Sequence, residues 1–278
     1  MSTVERLEAG GIAFPKLGLG TWRLSGKGAE AAVSEALALG YRHIDTAEMY
    51  GNEEAVGAGI AASGVAREGI HLTTKVWWTN LAPEAVRRAL AASLKKLGTD
   101  YVDLYLIHWP APEMDLGATL GAMLKLREEG LVRAVGVANF PVALLRRAVE
   151  EIGAPIACNQ VEYHVLLDQS KLLSYARGRK IPVVAYCPLA QGRLVEHPVL
   201  GRIAAKHGAT AAQVALAWLL GQEGVGAIPK SSRREGLKAN LAAAGIALDG
   251  EDRAAIAALP KNQRCVNPGF APVWDSPA

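Results

Sequence analysis

Four side chains able to hold or move a proton stand at or just beyond the ends of short apolar runs. Asp45 closes His43-Ile44-Asp45, Lys75 closes Thr73-Thr74-Lys75, His108 follows Leu106-Ile107, and Tyr50 lies on the stretch after Asp45. Taken singly, an aspartate or lysine in such a place would serve as a cap or a surface charge, and a histidine as a satisfied core residue. Together a carboxylate, an ammonium, an imidazole and a phenol form an acid–base set. A charged lysine and aspartate withdrawn from water need each other, because an unpaired buried charge is strongly unfavourable.

The elements that must bring these residues together are legible as an alternation. Short β-branched runs at 17–20, 42–45, 71–76, 102–107, 132–137, 156–160, 182–185 and 225–228 are separated by Ala- and Leu-rich segments of helical period. The helices are expected at 29–39, 53–62, 83–97, 116–129, 141–151, 169–179, 211–220 and 233–243. Gly40, Gly98 and Gly130 stand where three of them should stop, and Asn52 stands as the N-cap of a fourth. Gly10-Gly11 marks a turn in a short N-terminal hairpin, and a C-terminal tail follows the last helix. The run Tyr101-Val102-Asp103-Leu104-Tyr105-Leu106-Ile107 is too apolar toward its end for a sheet with one wet face, which favours parallel strands. No linker or composition break divides the chain, so 1–278 reads as one domain. Eight strand–helix units in one domain predict an α/β fold of the (β/α)8 TIM-barrel type, with a doubly wound open sheet as the competing topology. In such a barrel reacting groups sit at the C-terminal strand ends, where Asp45, Lys75 and His108 fall on three successive strands.

With 278 residues, half of them hydrophobic, the chain can bury a sizeable core. Thirty Lys and Arg against 27 Asp and Glu leave a net charge of +3, scattered rather than clustered, which argues against a nucleic-acid partner. Cys158, Cys187 and Cys265 are odd in number and widely spaced, so neither a disulfide framework nor a CxxC metal site is expected. The N-terminus lacks the pattern of a signal peptide and no apolar run approaches membrane-spanning length. The reading is a soluble, cytoplasmic protein that binds no membrane, with a monomer as the default.

The stretch Gly40-Tyr41-Arg42-His43-Ile44-Asp45-Thr46-Ala47-Glu48-Met49-Tyr50-Gly51-Asn52-Glu53 closely resembles the first signature of the aldo-keto reductases. Thr74-Lys75-Val76-Trp77, Leu106-Ile107-His108-Trp109-Pro110 and Ile228-Pro229-Lys230-Ser231 resemble its later landmarks in the same order. Within the family, the compact loops and the ending from Val266 to Asp275 look most like the bacterial 2,5-diketo-gluconate reductases, especially the B type, which also reduce methylglyoxal. The resemblance implies NADP(H)-dependent reduction of small aldehydes and ketones, such as diketo sugar acids, methylglyoxal and β-keto esters. Tyr50 would be the general acid, Lys75 the cation that lowers its pKa, Asp45 the partner that keeps Lys75 charged, and His108 the group orienting the carbonyl oxygen.

By the same resemblance Asn139 and Gln160 would hold the nicotinamide carboxamide, Tyr186 would stack on its ring, and the Leu189 backbone would lie near the pyrophosphate. Lys230, Ser231, Ser232, Arg233 and Asn240 would receive the adenosine end, a lysine with hydroxyls at a helix start suiting a 2′-phosphate. Trp22, Trp77 and Trp109 would wall the substrate pocket, with Trp274 as a lid. Three positions depart from the family pattern: Ala138 and Cys187 replace common serines, and Gly236 replaces the usual phosphate-binding arginine, whose charge Arg233 and Arg234 could supply. No GxGxxG follows a strand, which counts against the open sheet. Two other functions stay open here: a lyase using Lys75 as a Schiff-base amine, which Asp45 disfavours by raising its pKa, and a cofactor-binding sensor without turnover.

Overall fold

The computed structural model describes residues 5–276. Strands β1 (Arg6–Ala9) and β2 (Ile12–Pro15) pair antiparallel across Gly10 and Gly11, whose φ values of 60° and 84° meet the left-handed requirement of a two-residue hairpin turn. Eight parallel strands follow in sequential order: β3 (Leu19–Gly20), β4 (His43–Asp45), β5 (His71–Val76), β6 (Val102–Ile107), β7 (Val132–Ala138), β8 (Ile156–Glu162), β9 (Val183–Tyr186) and β10 (Val225–Ala227). Backbone bonds from Gly18 N to Ala227 O (2.9 Å), Ala227 N to Lys16 O (2.7 Å) and Gly20 N to Pro229 O (3.1 Å) join the last strand to the first, closing the barrel. This is the (β/α)8 fold, preceded by the expected hairpin.

Alternation along the strands explains why these runs are apolar on both phases. On β6, Leu104 and Leu106 face the barrel interior with Leu7 and Phe14 of the hairpin, while Tyr105 and Ile107 pack outward against the helical layer. The same period on β5 sends Leu72 and Val76 outward into that layer and aligns Lys75 with Thr73 and His71, which face inward. His43 and His71 close the lower end against Phe14, with ring centroids 5.8 and 4.9 Å from it.

The helices are α1 (Gly26–Leu39), α2 (Glu53–Ala62), α3 (Pro83–Leu97), α4 (Leu116–Glu128), α5 (Val142–Arg146), α6 (Ser170–Gly178), α7 (Pro198–Lys206), α8 (Ala211–Leu220), α9 (Arg234–Ala242) and α10 (Gly250–Ala257). Gly40 and Gly98 end α1 and α3 in left-handed conformation. Three expectations need correction. The helix expected over 141–151 is α-helical only through Arg146 and widens into a π turn over Arg147–Glu151. Asn52 does precede α2 but makes no cap bond. Its amide donates to Thr21 O and Leu24 O and accepts from Thr46 Oγ1, so it ties the loop after β3 to the loop after β4. Helices α7 and α10 lie outside the expected eight. No helix of the described residues is long and apolar enough to cross a membrane.

Candidate active site

Strand ends β4 and β5 deliver Asp45 and Lys75 into the upper barrel, both essentially without solvent exposure. Lys75 Nζ donates to Asp45 Oδ1 at 2.5 Å, to Thr46 O at 2.8 Å and to the Tyr50 hydroxyl at 3.3 Å, so its three protons have three acceptors. The other Asp45 oxygen accepts from Gln160 Nε2 at 2.7 Å. A short helical turn over Glu48–Tyr50 carries the half-buried tyrosine above this pair. His108, just beyond β6, meets the Tyr50 ring edge-on with centroids 5.6 Å apart.

The electrostatics follow from this packing. Burial pulls Lys75 down, but Asp45 and Tyr50 outweigh it and hold the ammonium above its ordinary value. A lysine fixed in its charged form does not suit Schiff-base chemistry. Burial and the Lys75 charge hold His108 well below its ordinary value, so its imidazole is neutral at pH 7. Tyr50 departs from the sequence expectation. Lys75 does pull its pKa down, but withdrawal from water pushes harder and the hydroxyl ends above its ordinary 10.0. The cation therefore offsets a burial penalty rather than making the phenol acidic, and Tyr50 stays protonated through neutral pH.

A cleft of about 450 Å³ runs over this constellation from Trp22 and Trp109, past Tyr50, His108 and Tyr186, to Lys230. Asn139, Gln160 and Leu189 also line it. Asn139 joins the cleft wall to the site: its Nδ2 donates to His108 O at 2.9 Å and its Oδ1 accepts from Tyr186 OH at 2.8 Å.

Comparison with known proteins agrees with this architecture. Residues 16–261 match the aldo/keto reductase family. The chain is 47% identical to the methylglyoxal reductase DkgB of Escherichia coli O157:H7, over 95% of this chain and 100% of that one. A solved structure provisionally named 2,5-diketo-D-gluconic acid reductase B superposes with a TM-score of 0.95 at 42% identity, covering 98% of each chain. The aldo/keto reductase of Brucella melitensis gives a TM-score of 0.89 at 45% identity, covering 92% of this chain and 98% of that one. The chain belongs to the aldo/keto reductase family. It is an oxidoreductase of a family that acts on small carbonyl compounds with a nicotinamide cofactor.

Not every residue expected at the site of this aldo/keto reductase reaches the cleft. Trp77 packs behind it, edge-on to His108 at 5.2 Å and to Phe270 at 5.6 Å. Trp274 stands over Trp109 at 6.0 Å, with its Nε1 bonded to Asn267 Oδ1 and the Arg264 guanidinium 3.8 Å above its ring. At the far end, Ser232 and Arg233 are exposed beyond Lys230, while Asn240 is buried against the Tyr41 hydroxyl. The Ser231 hydroxyl closes a small turn with Arg233 N and O at the start of α9. Gly236 sits in the first turn of α9, where a Cβ would lie 2.3 Å from Ser231 Oγ, so the serine occupies the space in which a side chain would begin. Arg234 pairs with Glu35 on α1.

The rim holds residues that the sequence reading missed, Arg23 and Gln191 among them, beside the expected Asn139. Of six described non-glycine residues with positive φ, four (Arg23, Asn139, Cys187 and Gln191) line the cleft, which places backbone strain at the ligand face. The only local signal for the 187–192 loop is its Pro and Gly content. Glu48 was also overlooked. It accepts from Trp77 N at 2.8 Å and Asn80 Nδ2 at 2.6 Å, pinning the turn that carries Tyr50 to the loop after β5.

Proposed function

We propose that this protein reduces small aldehydes and ketones with NADPH as cofactor, with Tyr50 as the proton donor. The observation that carries the proposal is Lys75 Nζ, fixed between Asp45 and the Tyr50 hydroxyl beneath a cleft wide enough for a small carbonyl compound. When bound, the nicotinamide supplies a hydride. The chain supplies the proton. Tyr50 stays protonated at neutral pH and donates to the developing alkoxide, and the Lys75 ammonium then faces the phenolate left behind. A neutral His108 beside Tyr50 can share the same carbonyl oxygen without adding a charge.

The residues present fit the cofactor. Asn139 and Gln160 each commit one amide hydrogen inside the protein and retain a second for a carboxamide. Tyr186 is held through its hydroxyl by Asn139 and presents a ring to the cleft, suited to stacking on nicotinamide. Leu189 also lines the cleft, where its backbone would lie near the pyrophosphate. Lys230, with Ser231, Ser232 and Arg233 at the α9 start, suits a 2′-phosphate, and Asn240 supports that end from within α9. Trp22 and Trp109 wall the substrate side, backed by Trp77 and Trp274. The three free thiols Cys158, Cys187 and Cys265 support a reducing cytoplasmic setting. Among the described residues the exposed large hydrophobics are Trp22, Val195 and Val273, and the first two line the cleft, which supports a monomer.

The test is cofactor oxidation with methylglyoxal, diketo sugar acids, β-keto esters and aromatic aldehydes, run with NADPH and NADH in parallel. Consumption is expected with small dicarbonyls. A charge-assisted contact to the 2′-phosphate should favour NADPH by roughly ten- to hundredfold in affinity. No consumption with any class would overturn carbonyl reduction; equal affinities would overturn the phosphate site alone.

A further inference from the structure

We propose that Glu162 is a positioning residue that fastens the C-terminal tail over the cleft and thereby sets substrate affinity; the second half rests on the carbonyl-reductase reading above. Glu162 ends β8, directly beside Tyr186 of β9 in the sheet register. Its side chain is fully buried, and it is not the partner of the site lysine, which pairs with Asp45. Instead the carboxylate accepts three donors: Cys265 N at 2.5 Å, Val266 N at 2.8 Å and His164 Nε2 at 3.0 Å. Burial pushes this carboxyl up, but those bonds outweigh it and hold it below the ordinary value.

The tail it grips is part of the site. Val266 lines the cleft, and Phe270 packs against Trp77 and Trp109 at 5.6 Å. Farther out, Asp275 Oδ2 accepts from Val142 N at 3.0 Å, a second and more exposed tether. Glu162 is thus the buried root of the strap, just beyond the point where Gln263 N bonds Leu166 O at 2.9 Å and Asn262 bridges to Leu167.

Glu162, His164 and Cys265 also have the side chains of a zinc donor set, with ligand atoms within 4.8 Å of one another. The hydrogen bonding assigns them otherwise. Leu166 N donates to His164 Nδ1 at 3.3 Å, so the ring proton resides on Nε2 and points at Glu162. That proton takes the place a cation would need.

The experiment compares wild type with Glu162→Gln, which keeps the shape but removes the charge and turns an amide toward backbone donors. Amide hydrogen exchange of residues 262–276, measured without substrate, should speed up roughly tenfold or more on loss of charge-assisted bonds, while exchange of the barrel strands stays unchanged. KM for methylglyoxal with NADPH should rise roughly tenfold with kcat within about twofold. Val266→Pro deletes one donor from the tail side, leaves Glu162 and the barrel sequence intact, and should reproduce the faster exchange. Unchanged tail exchange in both variants would overturn the strap. Faster exchange with unchanged KM would overturn its effect on affinity, and a wild type that turns over no carbonyl compound would defeat the functional reading while exchange still reports on the strap.

Discussion

Tyr50→Phe should lower the turnover of carbonyl reduction by ~10²-fold or more, the scale expected when a positioned general acid is removed. Folding and NADPH affinity should stay near wild type. The substitution keeps the ring that packs 4.9 Å from Trp22 and 5.6 Å from His108 and deletes only the hydroxyl. Lys75 loses its longest bond but keeps Asp45 and Thr46 O, so no buried charge is stranded. Turnover at saturating substrate, with cofactor affinity followed by tryptophan quenching, separates the two effects. Near-normal turnover in a folded variant would remove Tyr50 from the chemistry.

Lys75→Met should be comparably damaging to turnover and, unlike Tyr50→Phe, should also weaken the fold. Asp45 would be left buried with Gln160 as its side-chain donor, and breaking such a pair from one side costs about 3–5 kcal/mol. Tyr50 would lose the group that offsets its burial, so its pKa should climb further above 10.0, each unit being worth ~1.4 kcal/mol. Proton donation then becomes harder at every pH at which the variant is folded. Thermal melting reads the first effect and the alkaline limb of the reduction profile reads the second. An unchanged pH dependence in a folded Lys75→Met protein would mean that Lys75 does not tune the donor.

Much of this arrangement is legible in the sequence because both strand phases are buried. β5 and β6 appear with the expected bounds, as do α2, α3 and α8, since an apolar run ending in a polar residue at a barrel mouth has few other solutions. Asp45, Lys75, Tyr50 and His108 converge as their strand-end positions imply. What escaped is what tertiary contacts decide. Helix α7 carries Pro198 in its first turn and α10 opens with an Asp249–Asp252 capping box, yet neither belongs to the one-helix-per-strand rhythm that organises the rest. Glu162 reads only as a charge two residues beyond Gln160; its role depends on backbone amides about a hundred positions away. The sign of the Tyr50 shift is likewise invisible without the packing, because a neighbouring lysine and burial oppose each other and only the folded environment decides which is larger.

The most direct measurement of tyrosine acid catalysis is the pH dependence of kcat in both directions on the wild-type protein. If Tyr50 donates the proton, reduction should be level through neutral pH and fall only on the alkaline side, while oxidation of the product alcohol rises over that same interval as phenolate accumulates. His108, neutral and held well below its ordinary 6.5, should add no limb near neutrality. Two limbs running in the same direction, or a reduction rate governed by an ionisation near 6.5, would contradict Tyr50 as the proton donor.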